Sequence, residues 1–354
     1  MRYFLGANTS RGFYSLYDQQ ESEDTVWYIK GGPGNGKSTF MKTVAAAAKK
    51  AGRTVELVFC SGDPSSLDAI RIPEDRMIYV DATSPHIQEP SLPGVRGRYL
   101  DLSQYYRPGV RREEDAIREQ FQLYRSHYRR SYELLRAAEL ASPERIPGLM
   151  DDLSTKNLDS MAEELAEELA ISDIGGRERR IFISALTCEG PVLYTDTLAE
   201  TGGLFVLESA VGLGPALLSA LAEKCRRKGA RMVLCPDPLE PERPEALLLP
   251  ENGAAFLCRR KKGSLGIPVQ RRIELDTADI KERILSCRES FRACEKLRSS
   301  LLEQATAELK NARICHDRLE EIYHPYVDFR GVTACCHRHI KSLGYPLPDS
   351  AELP

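Results

Sequence analysis

Residues 31–39 read Gly-Gly-Pro-Gly-Asn-Gly-Lys-Ser-Thr and match the pattern G-x-x-x-x-G-K-[ST]. The glycines of this pattern let successive backbone N–H groups turn toward one anion. In such a loop Lys37 reaches the β- and γ-phosphates of a nucleoside triphosphate, and Ser38 ligates Mg²⁺. The sequence therefore predicts a site for ATP and Mg²⁺. The residues expected to contact the nucleotide are Gly32, Pro33, Gly34, Asn35, Gly36, Lys37, Ser38 and Thr39.

The sequence on either side of this loop predicts the elements that position it. Residues 26–30, Val-Trp-Tyr-Ile-Lys, form a short run typical of a buried strand. Residues 40–51 contain an alanine run and two lysines before Gly52, which indicates a helix and its C-terminal end. The N-terminus of that helix adds partial positive charge beside the phosphates. A strand, a glycine loop and a helix in this order are the parts that hold a triphosphate.

The composition is that of a globular protein, with 354 residues of which 42% are hydrophobic and 29% charged. This length favours two domains. The net charge of −3 gives no reason to expect a nucleic-acid partner. Residues 203–222 are almost wholly apolar, but two glycines and a proline in mid-run favour a strand, a loop and a helix over a membrane span. We expect no signal peptide and no membrane partner.

The ten cysteines lack the paired spacing of a zinc module, so we expect reduced thiols in a cytoplasmic protein. Residues 335–339, Cys-Cys-His-Arg-His, suggest a metal site at first sight. Adjacent cysteines point to different faces of a helix and do not easily ligate one ion. We therefore predict an ordinary terminal helix at this position.

An internal repeat matches the two halves of the chain. Residues 2–9 align with residues 180–187 at an offset of 178, and further matches follow at offsets from 174 to 178. Two copies of one plan divide the chain into domains 1–177 and 178–354.

The second copy lacks the groups that would bind a nucleotide. Residues 209–216 align with the glycine-rich loop, where Lys37 corresponds to Pro215 and Ser38 to Ala216. The ammonium group and the metal ligand are gone, and Pro215 also removes a backbone N–H from the cradle. We expect this copy to be nucleotide-blind, with a structural or regulatory role or with another ligand.

Alternating strands and helices predict an α/β fold, with a mostly parallel sheet in each copy and helices on both faces. A long helical pair follows each sheet, at about 111–171 and about 279–342. Residues 82–108 are rich in proline and glycine and are expected to form a loop. The helical pairs could pack on each other, or they could protrude as arms that bind a protein partner.

Two aspartates are candidates for metal binding or catalysis at the site. Asp81 follows a buried strand, as does the aspartate that helps to bind Mg²⁺ in nucleotide sites of this kind. Its counterpart in the second copy is Cys258. A simple strand-end cap is the alternative for Asp81. Asp68, in a turn that we expect to begin a helix, has no clear acidic counterpart and is the candidate base for activating water or an acceptor hydroxyl.

Other polar residues near the expected site are weaker candidates for a functional role. Asp63 matches Asp237 of the nucleotide-blind copy and precedes Pro64, so a helix-capping role is favoured. Thr83 and His86 could sense the γ-phosphate, although an ordinary surface loop position is favoured for His86.

The loop identifies the first copy as a P-loop NTPase. The tandem arrangement, with Gly-Phe-Tyr-Ser at 12–15, Ser-Gly-Asp-Pro-Ser-Ser-Leu-Asp at 61–68 and Asp-Ala-Thr-Ser-Pro-His at 81–86, resembles an uncharacterised family of bacterial tandem P-loop ATPases. The resemblance implies ATP as ligand and a phosphate loop in either half. This chain departs from that pattern in its second half.

Together these features predict an Mg²⁺-dependent ATP-binding protein with slow ATPase activity in residues 1–177. A weak preference for ATP over GTP follows from the lack of an Asn-Lys-x-Asp motif. One alternative is a small-molecule kinase, with Asp68 as base and the 82–108 loop as lid. Another is a nucleotide-gated scaffold whose helical arms bind a partner.

Overall fold

The fold was determined from a computed structural model, which describes residues 1–20, 25–83, 88–90, 92–150, 156–171 and 175–349. Strands of 2 to 6 residues alternate with helices, as apolar runs bounded by glycine and proline predict. The described strands of the first half are β1 (Arg2–Tyr3), β2 (Gly6–Thr9), β3 (Gly12–Ser15), β4 (Thr25–Lys30), β5 (Glu56–Phe59), β6 (Leu67–Ile72), β7 (Met77–Asp81) and β8 (Gly97–Asp101).

The second half repeats these strands in the same order. Its described strands are β9 (Glu178–Arg180), β10 (Ser184–Thr187), β11 (Gly190–Leu193), β12 (Gly203–Glu208), β13 (Met232–Pro236), β14 (Pro244–Leu249), β15 (Ala254–Arg259) and β16 (Arg271–Glu274). The described α-helices are α1 (Lys37–Lys50), α2 (Glu114–Leu140), α3 (Lys156–Glu168), α4 (Thr195–Thr201), α5 (Gly214–Arg227), α6 (Ala278–Ser286), α7 (Arg288–Tyr323) and α8 (Phe329–Ser342).

Two six-stranded sheets with matching strand order form the framework. The first has the order β1-β5-β6-β7-β4-β8, and the second has the corresponding order β9-β13-β14-β15-β12-β16. The sheets are mixed, and the expectation of a mostly parallel sheet holds in the sense that five of the six strands of each sheet run in the same direction. In each of them one central strand, β6 or β14, runs antiparallel to both of its neighbours. The fold class is α/β, as the sequence predicts.

The two sheets face each other across a shared core. Alternate residues of the strands, such as Val26 and Tyr28 in β4 and Leu204 and Val206 in β12, are buried in this core. At its centre the backbones of Phe4 and Phe182, which are counterparts in the repeat, exchange two hydrogen bonds of 2.8 and 2.9 Å. Long helices cover the outer faces, whereas the inner faces meet the shared core and the short helix α4. The prediction of helices on both faces therefore holds only in part.

The helices that follow each sheet pack on the other sheet. Helix α8 of the second half packs on α1, where Cys336 and Ile340 join the core of the first sheet. Helix α3 of the first half packs on α5, where Leu165 and Ala166 join the core of the second sheet. The boundary at residue 177 thus separates two segments of sequence that exchange their covering helices in space.

The two long helices pack on each other in antiparallel directions. A carboxylate oxygen of Glu308 in α7 lies 2.6 Å from Nδ1 of His127 in α2, within hydrogen-bond distance. The Ser131 hydroxyl donates to the carbonyl of Ala305. The apolar stripe of α2 is buried along this contact through Leu135. Between the two interpretations of the helical pairs, packing within the chain is what the structure has.

Several local expectations are wrong. Residues 67–72 form the strand β6, so the turn that contains Asp68 does not begin a helix. The predicted loop 82–108 contains the strand β8. The long helix of the second half is divided at Cys287 into α6 and α7. The terminal helix expected around residues 335–339 is present as α8. Among the described residues, no helix combines the length and the apolar character needed to cross a membrane.

Candidate functional site

Residues 31–38, here called the glycine loop, connect β4 to α1. Two of its glycines, Gly34 and Gly36, have φ angles of 66° and 90°, in the left-handed region that favours glycine. Gly36 is the residue that precedes the helix, and its backbone turns the chain into α1. The alanines of α1 are buried against the sheet, which fixes the helix and therefore the loop.

Lys37 lies in the concave side of this loop. Its Nζ donates hydrogen bonds to the carbonyl oxygens of Gly32 at 2.7 Å and Gly31 at 3.1 Å. The same Nζ lies 3.6 Å from Oδ2 of Asp81, and only 8% of Lys37 is exposed. A nearly buried ammonium group is therefore held between the loop carbonyls and the carboxylate at the end of β7.

Asp81 has the contacts of the strand-end cap that was one of its two predicted roles, and its role as a metal ligand stays a prediction. Its Oδ1 accepts hydrogen bonds from the backbone N–H and the hydroxyl of Thr83, which is the arrangement of a strand-end cap. Its Oδ2 faces Lys37. One carboxylate oxygen thus fixes the side chain while the other remains directed at the site. His86 lies outside the described residues.

Asn35, Ser38 and Thr39 occupy different environments around the loop. The Ser38 hydroxyl oxygen accepts the backbone N–H of Leu67 at 3.0 Å, which places it between α1 and β6. Thr39 is exposed on the first turn of α1. The amide of Asn35 is buried, and both of its polar atoms lack a hydrogen-bond partner among the described residues. Buried donors without partners fit a ligand that brings oxygen acceptors into the loop.

The second candidate acid, Asp68, lies beside the first. The register pairs Ala69 with Val80 in antiparallel β6 and β7, so the next step places Asp68 opposite Asp81. The Tyr17 hydroxyl donates to Asp68 at 3.3 Å. The pKa of Tyr17 is raised well above its ordinary value by burial, then by the charge of Asp68, with a smaller contribution from Asp81. The two carboxylates therefore act on one small region.

The strand pairing corrects the alignment of the two halves in this region. The Cys60 N–H donates to the carbonyl of Ser66, and the Asp237 N–H donates to that of Arg243, so Cys60 and Asp237 are counterparts. At this offset of 177, Asp68 corresponds to the acidic residue Glu245 at the start of β14. The prediction that Asp68 has no acidic counterpart is therefore wrong.

The same offset changes the argument about Asp63. Its counterpart is Glu240, and not Asp237 as the sequence alignment suggested. Asp63 accepts hydrogen bonds from the backbone and hydroxyl of Ser65 and forms an ion pair with Arg313 of α7. Its contacts are those of a turn that anchors a helix from the other half.

Helix α7 covers the glycine loop, a feature that sequence reasoning missed. A Cβ atom at Gly34 would lie 3.0 Å from Cβ of Glu320, so the helix backbone packs directly on the tip of the loop. Burial lowers the pKa of the nearby His316, and Arg313 and Lys37 lower it further while Glu320 opposes them. His316, Asp317 and Glu320 also bring three potential metal ligand atoms within 4.8 Å of one another. A site at the loop would thus be built from both halves.

The long apolar periodicity of α7 indicated a buried helix without indicating its partner. Tyr106 and Tyr323 lie near Gly32, and the Tyr106 hydroxyl is buried without a hydrogen-bond partner among the described residues. Ionic contacts such as the one between Asp63 and Arg313 join residues 250 positions apart. No spacing in the sequence could have identified this contact.

A tyrosine-lined cavity of about 420 Å³ lies next to the acids. Tyr124, Tyr128 and Tyr132 of α2 form one wall, and Cys60 forms part of the opposite wall. The Cys60 thiol also hydrogen-bonds to Asp68, and burial followed by this carboxylate raises its pKa well above its ordinary value. The cavity therefore adjoins the side chain that contacts Asp68.

The counterpart of the glycine loop, residues 209–216, is closed by an internal carboxylate. The Ser209 hydroxyl and the Ala210 N–H donate to the two oxygens of Asp276, at 2.6 and 2.7 Å. The Leu213 N–H donates to the Ser209 hydroxyl oxygen at 3.1 Å. The side chains of Asp276 and Ser209 thus each occupy one backbone N–H of this loop, those of Ala210 and Leu213.

Comparisons with known proteins add no identity to this description. No protein-family model matches the chain, and searches of curated proteins and of solved structures find no match.

Proposed function

We propose that the protein binds ATP together with Mg²⁺ at the glycine loop and hydrolyses it slowly. The observation that carries this proposal is the position of Lys37, whose ammonium group is nearly buried between the loop carbonyls and Asp81. Such a group attracts phosphate oxygens, because displacing two neutral carbonyl partners with an anion strengthens its electrostatic interactions. We interpret the two halves as tandem copies of a P-loop domain, the second of them degenerate.

Different residues of the first half would bind different parts of the triphosphate and its metal ion. The loop N–H groups and Lys37 would bind phosphate oxygens, and the buried Asn35 amide would donate to one more. Ser38 and Asp81 would hold Mg²⁺, and the bound ion would neutralise part of the negative charge of the phosphates. Asp68, one step along the sheet from Asp81, would orient the attacking water. All ten cysteines are free thiols, which is compatible with a cytoplasmic location.

Two lysines of one helix provide a matched test. Lys37→Ala should weaken ATP binding by about 100-fold or more, since a charge-assisted contact to phosphate is removed from a buried position. Lys49→Ala removes the same charge from the exposed end of α1 and should leave binding unchanged. Titration calorimetry with MgATP measures both affinities. Equal ATP affinity in the wild type and in Lys37→Ala would overturn the proposal.

The tyrosine-lined cavity favours a second candidate, a small-molecule kinase. A cavity of about 420 Å³ that adjoins Cys60, and through it Asp68, is large enough for a metabolite with a hydroxyl group. Asp68 would then accept the proton of that hydroxyl as the γ-phosphate is transferred.

Incubation with γ-labelled ATP, with and without a cellular metabolite extract, separates the candidates. Label in free phosphate supports hydrolysis, and label in a metabolite supports the kinase. ATP binding without turnover would favour the nucleotide-gated scaffold. Lys37→Ala should remove the labelled product of hydrolysis or of the kinase reaction, which ties the chemistry to the glycine loop.

A further inference from the structure

A cavity of about 510 Å³ lies at the place in the second half where the glycine loop would hold a nucleotide in the first. Gly212, Gly214 and Pro215 of the counterpart loop form one wall. Arg298, from α7, and Arg260, which follows β15, extend into the surroundings of the same cavity. The cavity is therefore built from the second sheet and one long helix.

Four arginines, one lysine and four acidic residues line this cavity, and two of the arginines have unused donors. Nε of Arg298 and Nη1 of Arg260 are buried without a hydrogen-bond partner among the described residues. Arg243 and Arg260 both form ion pairs with Glu144, whose carboxylate is thereby shared between two cations. Arg298 has no ion pair with Glu144 among the described residues.

The environment of Arg298 is unfavourable in the ligand-free protein. Burial lowers its pKa from the ordinary value, and the positive charge of Arg260 lowers it further. The carboxylates of Asp237, Glu144 and Glu240 act in the opposite direction but do not compensate for burial. Leaving a buried guanidinium N–H without a hydrogen-bond acceptor costs stability, unless an anion supplies one.

The type of ligand follows from the walls. The Ser209 hydroxyl and the Ala210 N–H are occupied by Asp276, so an anion here meets guanidinium groups in place of a phosphate-loop cradle. Among the described residues that line the cavity none is aromatic, so these residues offer no surface on which a nucleobase would stack. Guanidinium groups bind the oxygens of phosphoryl and carboxyl groups with paired hydrogen bonds.

We propose that this cavity binds a small non-aromatic oxyanion, a phosphate ester or a carboxylate, through Arg298 and Arg260. The second half is then a binding module whose anion site has moved from the backbone of the loop to arginine side chains. This site is separate from the glycine loop and does not depend on ATP binding there.

Calorimetry with two probes and one neutral control tests the proposal. Glucose 6-phosphate represents the phosphate esters, succinate represents the carboxylates, and glucose is the control without charge. We expect the wild type to bind at least one of the two anions and not glucose. Arg298→Gln should weaken that binding by about 10-fold or more, because a charge-assisted hydrogen bond is lost. Lys37→Ala should bind the anion as the wild type does.

The stability of the ligand-free variant gives an independent readout. Arg298→Gln should raise the midpoint of thermal unfolding, because it removes a partly buried charge whose desolvation the nearby carboxylates do not fully offset, while it abolishes the stabilisation that the anion provides. If the variant instead unfolds at lower temperature, Lys261→Gln at the exposed rim serves as the second variant and should weaken anion binding by about threefold. Absence of binding by both anions would overturn the proposal. So would unchanged binding in a folded Arg298→Gln variant, or loss of binding in Lys37→Ala.

Discussion

The two loops of this protein share a backbone plan but satisfy it in different ways. In the first half, Lys37 occupies the concave side of the glycine loop and faces Asp81. In the second half, Pro215 stands in place of the lysine, and Asp276 accepts hydrogen bonds from the start of the loop. A cation in one loop and an internal anion in the other make opposite electrostatic environments from the same turn.

Asp276, the acid that accepts hydrogen bonds from the second loop, has a counterpart of a different type in the first half. The Leu102 N–H donates to the carbonyl of Lys30, and the Leu275 N–H donates to that of Glu208. The residues that follow, Ser103 and Asp276, are therefore counterparts. Ser103 turns to Asp101, whereas Asp276 reaches the loop. A carboxylate at this position supplies from within the chain the negative charge that a phosphate would bring.

Asp81→Asn is the substitution expected to have the largest effect on this comparison. It should reduce Mg²⁺-dependent ATP hydrolysis by about 100-fold, because it removes the charge that faces Lys37 and the proposed metal ligand. Phosphate release at saturating ATP measures the effect.

Asp101→Asn provides the matched control for Asp81→Asn. Asp101 ends β8, a strand parallel to β7 on the other side of β4, and caps it in the same way, with Oδ1 accepting the N–H and hydroxyl of Ser103. It should retain hydrolysis at the wild-type rate. Equal loss in both variants would show that capping alone matters and would contradict the role assigned to Asp81.

The local parts of the first loop could be predicted from the sequence, because they depend on neighbouring residues. The strand before the loop, the helix after it and the change from Lys37 to Pro215 all follow from residue types within a few positions. The proximity of Asp68 to Asp81 could not be predicted in this way. It requires β6 to run antiparallel, so that Asp68, the second residue of this strand, lies at the edge where β7 ends.

Alignment by identical residues also misled the comparison of the halves. The shared dipeptide Asp-Pro at 63–64 and 237–238 suggested an offset of 174, whereas the backbone hydrogen bonds require 177. The sequence also did not indicate that α7 packs on the glycine loop. It did not indicate that α3 and α8 each cover the sheet of the other half. Amphipathic helices show which face is buried, and tertiary contacts alone decide what they are buried against.

Glu320→Gln tests whether α7 opposes binding at the first loop. The side chain lies against Gly34, where a carboxylate repels phosphate oxygens, so its neutralisation should tighten ATP binding by about 3- to 10-fold. Glu321→Gln, which removes the neighbouring exposed charge of the same helix, should change the affinity little. Unchanged affinity combined with slower hydrolysis would instead place Glu320 in the chemistry.

The helices that cover the two sheets should respond differently to acid. His339 of α8 contacts the Tyr79 hydroxyl at 2.8 Å, and burial lowers its pKa to about 4. The unfolded chain binds a proton near pH 6.5, so the stability that neutral His339 contributes is present above that pH and is lost as the pH falls toward 4. The corresponding helix α3 buries Leu165 and Ala166 in place of a histidine.

Hydrogen exchange at pH 7 and pH 5 should therefore show increased exchange in α8 relative to α3. His339→Gln should remove the difference that the histidine causes, whereas His337→Gln, on the same helix but only partly buried, should preserve it. Equal acid sensitivity of α3 and α8 in the wild type would contradict this assignment.

Restoring the lost residues to the second loop should have no effect on nucleotide binding. The double substitution Pro215→Lys and Ala216→Ser recreates the lysine and serine of the first loop, but Asp276 still occupies the N–H and hydroxyl donors at its start. Two further contacts keep the loop closed, since Arg243 donates to the carbonyl of Gly212 at 2.9 Å and the Cys258 sulfur lies against Gly214.

Calorimetry in a Lys37→Ala background, where the first site is removed, should detect no ATP binding by this double variant. Adding Asp276→Ser, the residue found at the counterpart position, removes the internal anion and is the change that could open the loop. ATP binding by the double variant alone would show that the lysine and serine decide the difference between the halves. Binding that appears only after Asp276→Ser would show that the internal carboxylate does.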